Sequence, residues 1–168
     1  LQNIINKVMK YERTPYRANQ DWFKHSVVCS NNQYYTQPDT KRWVSDIMKS
    51  YGGFTIDTLL NLYNGPCVHN LTEVINAVNN GRSFLNYRGE GSSSGWWASC
   101  YPFNTSDVSS VNNGEKLTFV TSIGCGVAMF DAGGGNCFGE AWMELGTSSA
   151  PRGACAFVGP TWGNTHTK

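Results

Sequence analysis

Apolar residues along the chain recur in two patterns, one with helical spacing and one of short, nearly uninterrupted runs. The helical spacing predicts helices that begin at Leu1, Asp39, Asn70 and Cys137, with a shorter one over 105–113. The apolar runs predict strands over 26–29, 54–63, 83–87, 117–123 and 154–158, and 91–104 is predicted to be a loop. Because strands alternate with helices, the chain is predicted to form a doubly wound, mostly parallel α/β sheet flanked by helices.

Apolar stripes on the first two predicted helices indicate how these helices are oriented. The helix over 1–13 carries Ile4, Ile5, Val8 and Met9, and the helix capped by Asp39 carries Trp43, Val44, Ile47, Met48 and Tyr51. Stripes of this kind are expected to face the sheet. The pattern therefore predicts that these residues form the packed faces of the two helices.

Two of the predicted strands end in the same way, with glycines on both sides of a single reactive side chain. Strand 117–123 runs into Gly124-Cys125-Gly126, and strand 83–87 runs into Gly89-Glu90-Gly91. Ligands of open α/β sheets bind beyond the carboxyl ends of strands, so the two ends are predicted to be halves of one site. From spacing alone, a small buried cysteine is the commoner interpretation of Cys125.

Composition narrows the possible classes of protein. The 168 residues fit one domain, and a net charge of +1 gives no broad footprint for nucleic acid. No apolar run reaches the roughly 18 residues of a membrane span, and the opening at Leu1 has the look of a mature or excised piece. The six cysteines form no Cys-x-x-Cys pair, so no metal or cofactor is predicted, while disulfides stay open.

The segment Asn86-Tyr87-Arg88-Gly89-Glu90-Gly91-Ser92, followed by Trp96-Trp97, resembles the gingipain family of secreted cysteine peptidases, whose motif is Asn-Tyr-x-Gly-His-Gly-Ser before a Trp. The segments 112–117, 137–141 and the one around Trp162 resemble the family in the same order. The resemblance implies a caspase-like fold, in which 1–168 is one catalytic subdomain and an N-terminal subdomain of the same polypeptide is missing. It also implies a peptide or protein substrate and a secreted or cell-surface location.

Carried over residue by residue, the resemblance implies that Cys125 is the nucleophile. The backbone N–H groups of Cys125 and Gly91 match the oxyanion hole, and Trp162 resembles an aromatic wall of the substrate pocket. The family's catalytic His, however, falls on Glu90, and its orienting acid falls on the uncharged Asn32. A carboxylate beside a thiol disfavours the thiolate, so the chain is predicted to be an impaired or inactive peptidase.

Two further readings of the same residues remain open. The chain is alternatively a non-catalytic protein with a peptidase fold that serves binding or assembly, or one in which residue 90 was altered to silence it. Arg88 lies near where gingipains receive a basic side chain, and a cation there would repel Lys or Arg substrates or pair with Glu90.

The remaining candidates are weaker. His25 and His69 are predicted to be structural, whereas His166 is the one candidate for an unorthodox base. Asp131 precedes a glycine cluster but lacks the spacing of a calcium loop, so a plain loop is favoured.

Overall fold

Eight strands form two sheets in the computed structural model, which describes residues 1–163. The strands are β1 (His25–Ser30), β2 (Thr55–Leu60), β3 (Phe84–Arg88), β4 (Gly91–Ser92), β5 (Gly95–Trp96), β6 (Phe103–Asn104), β7 (Thr118–Ile123) and β8 (Ala154–Val158). The main sheet has the order β2-β1-β3-β7-β8, and all of its pairings are parallel. The predicted α/β architecture with a mostly parallel sheet is confirmed.

Four α-helices accompany the sheet: α1 (Gln2–Arg13), α2 (Thr36–Gly52), α3 (Leu71–Asn79) and α4 (Phe138–Glu144). Helix α3 begins with the predicted capping box, in which Asn70 and Glu73 satisfy each other's backbone N–H groups. The short helix predicted over 105–113 is only a 3₁₀ turn at Asp107–Ser110. No helix formed by residues 1–163 combines the length and the apolar character that crossing a bilayer requires.

Helix α2 buries a different face from the one predicted. Trp43, Ile47 and Tyr51 are 64%, 37% and 89% exposed, whereas the buried residues of the helix are Gln37, Pro38, Lys41 and Ser45. The helix packs on β1, β2 and β3, and it meets the polar Asn86 of β3 through Lys41. The stripe prediction was wrong for these three residues, whereas Val44 and Met48 of the same stripe are half-buried. Polar groups of the sheet, such as Asn86, contact polar residues of the helix instead.

The start of α2 was also mispredicted. The helix begins at Thr36, so Asp39 lies in its first turn rather than at its N-cap, and the N-cap residue Tyr35 makes no side-chain cap. In helix α1, Ile5 and Met9 of the predicted stripe are 41% and 38% exposed. Periodicity thus located both helices without showing which residues the rest of the chain would cover.

An aromatic cluster fills the other face of the sheet and supports the carboxyl ends of β3 and β7. Its largest buried members are Tyr87, Trp96, Tyr101, Phe103, Phe138 and Trp142. Trp96 stacks on Tyr87 with ring centroids 3.8 Å apart, and its indole N–H donates to the Ser122 hydroxyl over 2.8 Å. Burial of such large rings is a major source of stability.

The segment predicted as a loop over 91–104 is instead the antiparallel sheet β4-β5-β6. Each strand has two residues, which is too short for a periodic signal. Trp96 holds this small sheet against the core. One disulfide, Cys67–Cys100, ties the loop after β5 to the segment before α3. The spacing of the cysteines had left this pairing open.

Candidate active site

The order of the strands creates a crevice between the carboxyl ends of β1 and β3. The chain runs from β1 outward to β2, then returns across β1 to β3 and continues to β7 and β8 at the other edge. Ligands of doubly wound sheets bind where the strand order reverses in this way. Arg88 closes β3 in register with Ser30 of β1 and Ile123 of β7. The turn that follows Arg88 therefore stands at the reversal point, and the turn that follows Ile123 lies beside it on the next strand of the sheet.

The turn after β7 carries Cys125. Gly126 adopts a positive φ of 63°, which a glycine accepts without strain, and its N–H donates to the Trp162 carbonyl oxygen over 2.9 Å. The Trp162 side chain is 67% exposed, whereas Cys125 is 8% exposed. Cys125 is therefore largely buried and lies at the predicted edge of the sheet.

The turn after β3 meets the Cys125 turn through its backbone. A β-carbon added to Gly124 would lie 3.3 Å from the carbonyl oxygens of both Gly89 and Glu90. A β-carbon added to Gly91 would likewise lie 3.3 Å from the Cys125 carbonyl oxygen. These distances are tight for any side chain, so the glycines allow the two turns to touch. The structure thus brings together the two strand ends that the sequence analysis joined into one site.

The Gly91 N–H is turned away from its strand partner. The Trp97 N–H donates to the Glu90 carbonyl oxygen over 3.1 Å, which makes Glu90 and Trp97 a hydrogen-bonded pair. Such pairs alternate with non-bonded pairs in an antiparallel ladder, so the next pair, Gly91 and Trp96, is non-bonded. The Gly91 N–H consequently points away from β5. An oxyanion donor requires an N–H group that no strand partner occupies.

Tyr87 fixes the peptide that carries this N–H group. Its buried hydroxyl donates to the Glu90 carbonyl oxygen over 2.9 Å, and its ring is held by the stack on Trp96. Burial raises the pKa of Tyr87 well above its usual value, and Cys29, Glu90 and Cys125 add to the shift. The hydroxyl therefore stays a proton donor. No role for Tyr87 was predicted from the sequence, because a tyrosine near the end of a buried strand is usually a residue of the hydrophobic core.

Asn32, which the resemblance assigns to the position of the family's orienting acid, holds two loops together. Its amide nitrogen donates to the Gly65 carbonyl oxygen over 3.1 Å, and its amide oxygen accepts the Ser99 hydroxyl over 2.8 Å. Ser99 adjoins Cys100, whose disulfide partner is Cys67. Both ends of this amide are thus used in contacts that fix the loops around the crevice.

A second cation accompanies Arg88 at the crevice. Lys41 of α2 is only 3% exposed, and its ammonium group donates to the side-chain oxygen of Asn86. Burial lowers the pKa of Lys41 to about 8; nearby Cys29 opposes the shift and Arg88 contributes to it. Sequence reasoning missed Lys41, because a lysine within an amphipathic helix is usually a solvated residue.

The other predicted candidates lie away from the two turns or outside the described residues. His25 opens β1 at the amino edge of the sheet, and the His69 ring contacts the Glu73 carboxylate over 3.2 Å. His166 lies outside residues 1–163, so its position is not described. Asp131 is exposed, and no group of three His, Cys, Asp or Glu side chains in the described part of the chain is arranged to hold a metal.

The sheet and the glycine-flanked cysteine turn place the molecule among the gingipain-like cysteine peptidase folds. The chain belongs to peptidase family C25, whose family model matches residues 1–168. Over 90 residues it is 33% identical to Gingipain R2 and to Gingipain R1 of Porphyromonas gingivalis. These matches cover 52% of this chain, but only 12% and 9% of the respective relatives. The predicted family is confirmed.

Solved structures agree on the fold. The crystal structure of the Arg specific cysteine proteinase gingipain R matches with a TM-score of 0.79 at 23% identity, over 93% of this chain and 36% of that one. The complex of the pro- and mature domains of Porphyromonas gingivalis RgpB matches with a TM-score of 0.81 at 23% identity, over 98% and 38%. The chain therefore spans little more than a third of the length of these structures.

Proposed function

We propose that residues 1–168 form the nucleophile-bearing subdomain of a C25 peptidase domain, with Cys125 as the nucleophile and the Gly91 N–H as an oxyanion donor. The observation that carries the proposal is the contact between the two turns, with the Gly91 N–H directed away from its hairpin partner. The exposed Trp162, whose backbone is bonded to the Cys125 turn, would form a wall of the substrate cleft.

The proposed reaction is acyl transfer from a peptide to Cys125. The thiolate attacks the scissile carbonyl carbon, a C–S bond forms, and the C–N bond breaks as the amine leaves with a proton. Glu90, at the position of the family's His, would take the thiol proton and return it to the amine. A carboxylate is a weaker base than imidazole by roughly two pKa units, so forming the thiolate beside a protonated Glu90 costs about 3 kcal/mol more than forming it beside a protonated imidazole. We therefore infer that hydrolysis is slow or absent.

A non-catalytic role in binding or assembly is the second candidate. The observation that favours it is the use of Asn32, which bridges the loops through Gly65 and Ser99 and supplies no carboxylate to orient a base. In this reading the fold and the crevice are retained, whereas turnover is lost.

We further infer that the chain works outside the cytoplasm, as a secreted or cell-surface protein, together with an N-terminal subdomain of the same polypeptide. The Cys67–Cys100 disulfide supports this location, because such bonds persist in oxidising compartments. The ligand would be a peptide or protein. The net charge of +1 gives no support for a nucleic-acid partner.

The test is labelling by a peptidyl acyloxymethyl ketone, followed by intact-mass analysis of the unmodified chain and of Glu90→His. We expect slow labelling at Cys125 in the unmodified chain and labelling about tenfold to a hundredfold faster in Glu90→His, because imidazole holds the proton better. Replacement of the nucleophile in Cys125→Ser should abolish labelling in both backgrounds.

Cys137→Ser is the matched control, since Cys137 is also a buried free cysteine. Labelling that survives Cys125→Ser, or that disappears in Cys137→Ser, would contradict the assignment of the nucleophile. Peptide binding without labelling in either the unmodified chain or Glu90→His would favour the non-catalytic role.

A further inference from the structure

The crevice between β1 and β3 contains a concentration of positive charge that the proposed chemistry at Cys125 does not use. Arg88 stands at the mouth, as the last residue of β3, and Lys41 lies behind it on α2. Asn86 and Arg88 are two positions apart on one strand, so their side chains point to the same face of the sheet. Lys41 reaches that face through its bond to Asn86.

The buried ammonium group has an incomplete set of partners. Its acceptor is the neutral Asn86 amide, and Lys41 forms no ion pair with any carboxylate of residues 1–163. A buried charge is normally paired, because removing it from water is costly. The neighbouring Arg88 makes the local charge still more positive and helps to lower the pKa of Lys41 to about 8. An anion at this place would therefore be stabilised by both cations.

The position of Arg88 relative to the two turns defines where the anion would come from. Glu90 and Gly91 follow Arg88 by two and three residues, in a turn whose Glu90 carbonyl oxygen accepts the Tyr87 hydroxyl. Arg88 therefore adjoins the turn where a scissile carbonyl would bind, on the side of the substrate side chain next to it. The positive crevice is thus located where it can select this side chain.

We propose that the crevice receives an acidic side chain, Asp or Glu, of a peptide ligand. Arg88 binds the carboxylate directly, and Lys41 strengthens the positive potential from behind. This inference rests on the proposed function, since it assumes that the peptide lies across the Gly91 and Cys125 turns. It gives this chain the opposite preference from the Arg specific proteinase whose fold it shares.

The experiment compares three otherwise identical peptidyl acyloxymethyl ketones, with Asp, Asn or Lys beside the reactive group. Because a hydrogen bond to a charged group discriminates strongly, we expect the Asp probe to label Cys125 about tenfold or more faster than the Asn probe. The Lys probe should be the slowest. Arg88→Met should remove the preference for Asp, and Arg88→Glu should reverse it towards Lys.

Matched controls separate local from general charge effects. Arg42→Met and Lys49→Met remove exposed cations of the same helix that carries Lys41, and they should leave the preference intact. Lys41→Met should reduce the preference severalfold without abolishing it, because Arg88 still makes the direct contact. Equal rates for the three probes, or a preference for Lys in the unmodified chain, would overturn the proposal.

A second readout keeps the proposal distinct from the question of catalysis. Fluorescent peptide amides with Asp, Asn or Lys at the same position are titrated against the unmodified chain, and iodoacetamide labelling of Cys125 is measured in parallel. If iodoacetamide labels Cys125 but the Asp, Asn and Lys peptides bind with equal affinity, the acidic preference is overturned and the assignment of the nucleophile is not. Preferential binding of the Asp peptide with no labelling would support the preference and count against the peptidase. If Arg88 pairs with Glu90 instead of the ligand, preferential binding of the Asp peptide should be seen only in Glu90→Gln. That result would also overturn the proposal.

Discussion

Two lysines of residues 1–163 are buried, and they are held in very different ways. Lys7 of α1 is 0% exposed, and its ammonium group donates to the backbone carbonyl oxygens of Trp142, Met143, Leu145 and Arg152 at 2.6–3.4 Å. Lys41 of α2 is 3% exposed, but within residues 1–163 its ammonium group donates to the Asn86 amide oxygen alone. Burial lowers the pKa of each to about 8.

The difference separates a buried charge that is matched by several backbone acceptors from one that is not. Three of the four acceptors of Lys7 lie at the end of α4, where a helix leaves carbonyl groups without intrahelical partners. Lys7 thus caps α4 from another helix, and its charge is matched by the negative end of the helix dipole. Lys41 has no comparable partners and lies beside Arg88, so its burial does not stabilise the fold in the same way. Substitution at the two sites tests this comparison directly.

The largest effect is expected for Lys7→Met. Loss of the ammonium group leaves several buried carbonyl oxygens without a donor, so the free energy of unfolding should fall by about 3 kcal/mol. Urea denaturation followed by circular dichroism measures this change. Lys10→Met is the control: that lysine pairs with Glu115 at the surface, and its loss should cost less than about 1 kcal/mol. Similar losses in both variants would remove the special role of Lys7.

A smaller effect of opposite sign is expected for Lys41→Met. The substitution removes a poorly compensated buried charge and leaves only the Asn86 amide oxygen without its donor. Replacing buried charges by apolar residues is often neutral or stabilising, so the free energy of unfolding should stay the same or rise by about 1 kcal/mol. The same urea titration applies, with Lys49→Met as the exposed control. A loss as large as that of Lys7→Met would place Lys41 among the structural charges.

The smallest effect is a dependence on pH that sharpens the second prediction. The pKa of Lys41 is about 8 in the fold against 10.5 ordinarily, so between these values the unfolded chain binds more protons and stability rises with pH. The advantage of Lys41→Met over the unmodified chain should therefore shrink by about 1 kcal/mol from pH 7 to pH 9. Cys29 and Arg88 are the titratable and charged groups that face Lys41. A constant gap in urea titrations at the two pH values would contradict the prediction.

Much of the fold follows from local sequence signals, and the two turns of the site follow from them as well. The capping box at Asn70 and the glycines around Cys125 specify local geometry, and parallel strands bring their carboxyl ends to one edge. These signals depend on a few neighbouring residues. They could therefore be interpreted correctly before the structure was known.

The buried lysines and the small sheet could not be predicted in this way. Lys7 and Lys41 are buried by contacts with residues far along the chain, namely the end of α4 and Asn86. The exposed stripe that includes Trp43 and Tyr51 shows the converse, since helical periodicity reports which residues are apolar and not what covers them. Tyr87 joins the site only because the β4-β5 hairpin folds back over it.

The disulfide between Cys67 and Cys100 has a practical consequence for anyone who handles this protein. Strong reductants such as dithiothreitol protect a cysteine nucleophile, yet they open disulfides by thiol exchange. Here the disulfide connects the same two loops that Asn32 joins through Gly65 and Ser99. A reductant that keeps Cys125 reduced would therefore also loosen these loops. A drop in the reactivity of Cys125 after such treatment would reflect loosened loops rather than oxidation of the thiol. Mild reductants should therefore be used, and the mass of the protein should be measured to verify that the disulfide is intact.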